Sequence, residues 1–243
     1  MAEYARQGAW LFRRRSYPPL LALALVLMDV VVEPVPMGGR RALGGWVAAG
    51  MALGLLGLLL RGWTAGTIPM GTSGRGTRVQ RAETLNTEGA YSLVRHPLYL
   101  GNYLLWLGVA AVAGDPAAIV AVTLLFWLYY ERIMMAEERY LWETHGAAFA
   151  AWAERTPAFL PRLSGWSPSP HPFSLAYALG RDYPAMYAFV VSTTAVALAR
   201  SAASGEGWAP SLPWLAWFTA GTTAYVALHA LKRLTRVLEV SDR

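Results

Sequence analysis

The sequence contains no cysteine, which excludes disulfide bonds, thiol catalysis and metal or iron–sulfur centres held by cysteine. Charge is scarce as well: 15% of the residues are charged, against about a quarter in a typical soluble domain. Lys232 is the only lysine, so the net charge of +6 comes almost wholly from arginine. The four histidines are scattered without paired spacing, and we therefore predict no metal site.

Long apolar runs dominate what remains, because 55% of the residues are hydrophobic. Tryptophan and tyrosine are abundant, as is typical of proteins whose aromatic rings lie at a membrane interface. Six runs are candidate membrane spans, at about 18–35, 42–60, 97–113, 116–135, 183–199 and 212–231. The pattern predicts an all-α fold, a polytopic membrane helical bundle.

The connections between the runs predict how the helices pair. Spans three and four are joined only by 114–116, where glycine ends one helix and proline opens the next, so a tight helical hairpin is expected. Gly50 and Gly54 on span two are spaced for close helix packing. We predict three regions: an N-terminal arm with two spans, a core with the hairpin, and a Pro- and Ser-rich linker with two spans and a basic tail, at 1–62, 63–162 and 163–243.

The distribution of arginine predicts orientation. Arginines flank the apolar runs, which favours a role in setting topology over nucleic-acid binding. They concentrate in the N-terminal arm, in the connections 61–96 and 136–182 and in the tail, while the opposite side holds Arg40, Arg41 and, at an edge, Arg200. Both termini and the two long connections are therefore expected in the cytosol. The preference for arginine and alanine is typical of a GC-rich bacterium, which suggests the inner (plasma) membrane.

A first polar cluster opens span three. Pro97 suits the first turn of a helix, which leaves His96 at the helix start and Tyr99 and Gly101 on the following turns. A helix start presents free N–H groups and a positive dipole end, where a carboxylate or ribose hydroxyl of a cofactor could bind, and Gly101 would let a flat ring approach the backbone. Alternatively, Arg95 and His96 are interfacial anchors and Tyr99 belongs to an aromatic belt.

A second polar cluster ends span four. Glu131, Arg132, Glu137 and Glu138 follow a long apolar helix, where charges are costly unless they are paired or functional. Glu137 and Glu138 point about 100° apart, so one can face a pocket while the other faces a partner. The alternative is that the helix has left the membrane and its charges are solvated. Because both clusters lie at the same end of the hairpin, they can line one site, which would suit a cationic ligand.

Four motifs follow one another within about 63–162: Tyr91-x-x-x-Arg95-His96-Pro97-x-Tyr99-x-Gly101, Glu137-Glu138, Gly146 and Thr156-Pro157-x-Phe159-Leu160-Pro161. In this order they resemble the isoprenylcysteine carboxyl methyltransferase and phospholipid methyltransferase superfamily. The resemblance implies S-adenosylmethionine bound at the cytosolic end of the hairpin and a lipophilic acceptor arriving from the bilayer. The implied cofactor-binding residues are Thr84, Leu85, Asn86, Tyr91, His96, Pro97, Leu98, Tyr99 and the carboxylate Glu137, and we add Arg95 and Gly101 from the same motif.

Methyl transfer needs aligned reactants and a dry site, not a protein nucleophile. An amine or thiol acceptor must also lose a proton, which Glu138 or Glu131 could accept, whereas a carboxylate acceptor needs only positioning, for example by Arg132. The carboxyl methyltransferases have a substrate-contacting arginine four residues before the cofactor-binding carboxylate. Here that position is Ile133, and the nearest arginine, Arg132, is rotated by about 100°. O-, N- and S-methylation therefore all stay open.

Two other functions remain as alternatives. NADPH-dependent membrane sterol or steroid reductases have a related hairpin and a similar Arg-His-Pro-Asn-Tyr-x-Gly-Glu motif, but this chain has Leu98 and Asn102 where that motif has asparagine and glutamate. A non-catalytic lipid-binding membrane protein is the other. The glycine-rich segment 71–77 lacks the ending of a P-loop, and we predict a flexible cytosolic loop that could close over the site as a lid.

Overall fold

A computed structural model describes residues 2–33, 37–39, 42–69, 84–235 and 237–238. This part of the chain forms only helices and connecting turns. The α-helices are α1 (Ala2–Arg13), α2 (Pro18–Val32), α3 (Leu43–Gly66), α4 (Ala90–Leu93), α5 (Pro97–Ala113), α6 (Pro116–His145), α7 (Ala147–Arg155), α8 (Leu175–Ala203) and α9 (Leu212–Leu234), with a short 3-10 turn at Leu163–Gly165. The predicted all-α bundle is confirmed.

Each of the six predicted runs coincides largely with a helix, although the end of the first run, at 34–35, lies outside the described residues. The helices differ in length and polarity. Among the described residues, three helices are long and apolar enough to cross a membrane: α3, α6 and α8. The helices α2 and α5 are apolar but have only 15 and 17 residues, fewer than the roughly 20 that span a hydrocarbon core. At 23 residues α9 is long enough but less apolar. Length and composition thus support three spans where the runs suggested six.

Two helices extend beyond their apolar runs. The helix α6 continues to His145, past the end of its apolar run near 135, and its charged end forms intrahelical pairs such as Arg139 Nε to Glu143 Oε1 at 2.8 Å. The helix α8 begins at Leu175 instead of 183, because the Ser174 hydroxyl caps it by accepting the Tyr177 N–H. Much of the predicted connection 136–182 is therefore helical. Hydropathy marks the extent of a membrane span, and a helix can continue past it.

The hairpin of α5 and α6 is built as expected. Gly114 ends α5 with φ of +77°, a conformation that side chains with a Cβ avoid. The Asp115 carboxylate caps α6 by accepting the Ala117 N–H at 2.8 Å, and Pro116 opens the helix. The hairpin turn defines one end of the bundle; Met37, just after α2, donates its N–H to Gly114 O there at 2.9 Å. We call the opposite end, where α5 begins, the motif end.

Glycine brings α3 and α5 into close contact. A Cβ at Gly50 would lie 2.6 Å from Gly108 O, and one at Gly57 would lie 2.7 Å from Gly101 O. Gly54 instead faces the Phe189 ring of α8. The close packing predicted from the glycine spacing on α3 is thus present: both glycines lie against Gly108 of α5, and Gly54 also contacts α8.

Gly50→Ala is expected to lower the thermal midpoint of the purified protein by several degrees. The new methyl would press on the Gly108 carbonyl, and overpacking of this kind costs about 1–3 kcal/mol. Gly62→Ala is the matched control on the same helix, since a Cβ there meets nothing within 4 Å and alanine favours helix. Thermal unfolding followed by tryptophan fluorescence measures both. Equal midpoints for the two variants would contradict tight α3–α5 packing.

The remaining helices surround this pair. The N-terminal arm contains α1, which packs on α6 where Gly8 lies directly against the Arg132 carbonyl. The helix α8 packs against α2, α3 and α5, and α9 packs on α8 with no buried residue among those described. The core lies between the hairpin and α2, with Val26, Phe126 and Ile133 almost fully enclosed. This core holds the motif ends of α5 and α6 side by side.

Candidate active site

The start of α5 is fixed by backbone contacts with a distant segment. Gly89, with φ of +59°, turns the chain just before α4. After α4 the chain is extended at Val94 before α5 begins. Arg95 N–H donates to Pro157 O at 2.9 Å and His96 N–H donates to Ala158 O at 3.2 Å. In return Arg162 N–H donates to the carbonyl of Leu93 at 3.0 Å. The two sequence motifs that contain these residues therefore form one structural unit.

Arg95 joins this unit to α6 and α7. Its Nε lies 2.8 Å from Glu138 Oε1, and Nη2 lies 3.3 Å from Glu138 Oε2. Its Nη1 donates to the carbonyls of Ala153 and Thr156 at 2.8 and 2.9 Å. Charge-assisted bonds of this kind are the stronger ones in proteins, and they fix the guanidinium in one orientation. Each of these hydrogen bonds of the Arg95 guanidinium is therefore with a protein atom in the described part of the chain.

His96 connects the two glutamates. The residue is buried, and its Nε2 lies 2.9 Å from Glu138 Oε1. Because a carboxylate only accepts hydrogen bonds, Nε2 carries the proton in this contact. Its Nδ1 lies 3.7 Å from Glu137 Oε2, too far for a hydrogen bond. The His96 ring stacks on the Tyr99 ring with centroids 5.5 Å apart, and we call these two rings at the start of α5 the aromatic wall.

Glu137 differs from its neighbour in having an oxygen that is not satisfied. Its Oε2 is buried and has no hydrogen-bond partner among the described residues, while the Tyr99 hydroxyl interacts with the carboxylate. A buried carboxylate oxygen without a donor is costly and calls for an explanation, and a partner that comes from outside the chain is one. Glu138 is already bonded to Arg95 and His96. The two glutamates therefore diverge: Glu138 faces protein, and Glu137 can accept from a ligand.

The other motif residues line the same end less directly. Gly101 is buried on the side of α5 that faces α3, and a Cβ there would overlap the Arg61 side chain. The approach of a cofactor ring to Gly101 stays a prediction. Tyr91 accepts the Trp152 Nε1–H on its carbonyl at 3.1 Å. The remaining predicted cofactor residues differ in burial. Thr84 is exposed, Pro97 is buried, and three are half-buried: Leu85, Asn86 and Leu98.

The predicted catalytic residues one and two turns earlier on α6 lie elsewhere. Arg132 Nε donates to Gln7 Oε1 of α1 at 3.0 Å, so its guanidinium faces the N-terminal helix. Glu131 is exposed, and Ile133 is fully buried in the core. Neither Glu131 nor Arg132 joins the cluster around His96 in the described part of the chain, and their roles stay predictions.

Sequence reasoning missed a polar network behind the aromatic wall. Arg61 on α3 forms an ion pair with Asp182 on α8, and Arg61 Nη1 donates to the Asn102 side-chain oxygen. Asn102 in turn donates to the Tyr130 hydroxyl at 2.9 Å. Arg61 and Asp182 are 121 residues apart, so no local spacing marks them as partners. The available signal was a charge of each sign beside an apolar run.

Two further predictions concern features that the site does not include. The glycine-rich segment 71–77 lies outside the described residues. In the described ranges, no group of three or more His, Asp or Glu residues is arranged to hold a metal ion.

Comparisons with known proteins match the region that contains the site. Residues 46–148 match the phospholipid methyltransferase family. The cobalt-zinc-cadmium resistance protein CzcN of Cupriavidus metallidurans is 39% identical over 144 residues, which are 57% of this chain and 62% of that protein. The nickel-cobalt-cadmium resistance protein NccN of Alcaligenes xylosoxydans xylosoxydans is 32% identical over the same length, 57% of this chain and 63% of that protein.

Isoprenylcysteine enzymes are similar too. Protein-S-isoprenylcysteine O-methyltransferase B of Arabidopsis thaliana is 28% identical over 149 residues, 58% of this chain and 72% of that protein. The chain thus spans just over three fifths of the two resistance proteins and somewhat more of the plant enzyme. No solved structure is significantly similar to it. On the family match and these relatives, the matched region of the chain is similar to the superfamily of membrane methyltransferases that contains the phospholipid and isoprenylcysteine enzymes.

Proposed function

We propose that this protein is an S-adenosylmethionine-dependent methyltransferase that acts on a lipophilic acceptor at the cytosolic membrane face. The observation that carries the proposal is the buried Glu137 oxygen without a donor, beside the start of α5. A carboxylate in that position suits a ligand that brings an ammonium or hydroxyl group, and S-adenosylmethionine has both. When bound, this cofactor supplies an activated methyl group on a sulfonium.

The residues present fit such a ligand. Glu137 would accept from its ammonium or ribose hydroxyls, and the stacked rings of His96 and Tyr99 offer a flat surface. Glu138 is bonded to Arg95 and His96, so it holds the site together. This supports a positioning role for Glu138 in preference to that of proton acceptor. An amine or thiol acceptor would then release its proton elsewhere, and a carboxylate acceptor would have none to release.

The arginines support a cytosolic site. Arg13 ends α1, and Arg14 and Arg15 follow it just before α2, whose far end meets the hairpin turn. These residues therefore lie toward the motif end, as do Arg139 and the loop that contains Arg162. Positive charge concentrates on the cytosolic side of membrane proteins. The lipophilic acceptor would reach this end laterally from the bilayer, and a bacterial inner membrane is the setting that we propose.

Calorimetric titration of the detergent-solubilised protein tests the proposal. We expect S-adenosylmethionine and S-adenosylhomocysteine to bind and NADPH to give no heat, since the sulfur cofactors share the amino acid and ribose groups that Glu137 would bind. Binding of NADPH alone would favour a reductase, and no binding of either sulfur compound would refute the proposal. Incubating membranes that contain the protein with methyl-labelled cofactor, and analysing the labelled lipid, then identifies the acceptor.

A further inference from the structure

A buried ion pair between α3 and α8 lies behind the candidate active site. Arg61 Nε donates to Asp182 Oδ2 at 2.9 Å, and Nη2 contacts Oδ1 at 2.5 Å. The two side chains are only 14% and 10% exposed. Desolvation offsets much of the attraction in such a pair, and well-packed apolar residues often stabilise a protein as well or better. Stability alone therefore explains this ion pair poorly, and the residues that the pair contacts indicate another role.

Hydrogen bonds lead from this pair to the aromatic wall. Arg61 Nη1 donates to the Asn102 side-chain oxygen, and Asn102 Nδ2 donates to the Tyr130 hydroxyl at 2.9 Å. The Tyr130 ring lies 5.0 Å from the Tyr99 ring between centroids, and the Tyr99 hydroxyl interacts with Glu137. Each polar side chain in this series fixes the orientation of the next. The series begins on α8 and ends at the carboxylate proposed to bind the cofactor.

Gly101 makes the series possible. The Arg61 stem crosses α5 directly over this glycine, and a Cβ at that position would overlap Arg61 Cγ. The space left by the missing side chain is what lets an α3 arginine reach Asn102 on α5. The Tyr130 ring also stacks on Phe126 with ring centroids 4.2 Å apart, so packing and hydrogen bonding both restrain Tyr130.

We propose that Arg61 and Asp182 are positioning residues of the methyltransferase site: through Asn102 they hold Tyr130 against Tyr99 and so fix the aromatic wall beside Glu137. The inference rests on the proposed function. Asp182 lies beyond the region 46–148 that matches the phospholipid methyltransferase family. The helix α8 thereby contributes to the site in addition to packing within the bundle.

The test separates positioning from stability in the full-length protein. Asp182→Asn leaves the Arg61 guanidinium buried without a counter-charge, and the thermal midpoint should fall by about 10 °C. The double variant Arg61→Met/Asp182→Leu removes both charges at similar volume, and its midpoint should return to within about 3 °C of the unaltered protein. Its affinity for S-adenosylhomocysteine, measured by calorimetry, should still be about 10-fold lower, because Asn102 has lost its donor.

A second variant probes the route through the tyrosine. Tyr130→Phe removes only the hydroxyl and should also weaken S-adenosylhomocysteine binding by about 10-fold. Combining it with the double variant should add little, since contacts in one series are not additive. Arg139→Met/Glu143→Leu is the matched control, because that ion pair is exposed at the motif end of α6. It should change neither midpoint nor affinity.

Each outcome decides the inference. Affinity that recovers together with the midpoint in the double variant means that the pair is structural only, and this overturns the inference while leaving the proposed function intact. Losses that add up in the triple variant overturn the route through Tyr130. If the unaltered protein binds no S-adenosylhomocysteine, the proposed function fails and this inference fails with it.

Discussion

Glu137→Gln is expected to weaken S-adenosylhomocysteine binding by about 10- to 100-fold, the range for loss of a charge-assisted hydrogen bond. The thermal midpoint should stay unchanged or rise, because the variant removes a buried carboxylate oxygen that has no donor among the described residues. Affinity and stability would thus move in opposite directions, as is common for residues kept for binding. Calorimetry and tryptophan-fluorescence melts on the purified protein measure the two quantities.

Glu143→Gln provides the matched control for this prediction. Glu143 lies on the same helix, and its side chain is 58% exposed beside Arg139. The substitution should alter neither affinity nor midpoint, since exposed pairs contribute little. Unchanged affinity in Glu137→Gln would move the cofactor away from this carboxylate. A lower midpoint in that variant would show instead that Glu137 acts as a structural residue.

Arg95→Met is expected to lower both the stability of the protein and its affinity for the cofactor. It removes the partner of Glu138 and the donor to the carbonyls of Ala153 and Thr156, so three acceptors at the motif end lose a bond. The ion pair with Glu138 is partly buried, with side chains 17% and 25% exposed, and its loss together with the two carbonyl contacts is expected to lower the midpoint by about 10 °C. Binding of S-adenosylhomocysteine should weaken strongly as well, because Glu138 keeps only its contact with His96 and the carbonyls of Ala153 and Thr156 lose their tie to the motif end.

Two comparisons make this result specific. Arg139→Met removes an exposed arginine from the same end of the protein and should leave the midpoint unchanged. Glu138→Gln keeps one carbonyl acceptor for Arg95 or His96 and should lie between Arg95→Met and the unaltered protein in both measurements. An Arg95→Met protein with a normal midpoint would show that its contacts with α6 and α7 contribute little to the fold.

For Glu137 and Glu138, the helical period predicts the directions of the side chains but not their partners. Their adjacency indicates that they point about 100° apart, and the structure separates them accordingly. The pattern could not say which of them faces protein. That depended on Arg95 and His96, which approach Glu138 from another helix and leave one Glu137 oxygen without a donor.

The contacts of Arg132 could not be predicted from its position on α6 either. Its place in the chain, near the glutamates, made it a candidate for substrate binding. In the fold it contacts Gln7 of α1, a helix that the N-terminal arm gave no reason to place there. The face of α6 that each residue occupies was predictable, and the helix packed against that face was not.

The sequence by itself determined the local features. The turn at 114–116 ends and caps two helices with its own atoms, Pro97 opens α5, and the apolar runs require burial or lipid. Only the tertiary structure decided the pairing of Arg61 with Asp182 and the pairing of Glu138 with Arg95 and His96. The physical reason is that backbone geometry and turn chemistry act over a few residues, whereas a buried charge is satisfied by whichever distant helix brings its partner within hydrogen-bond distance.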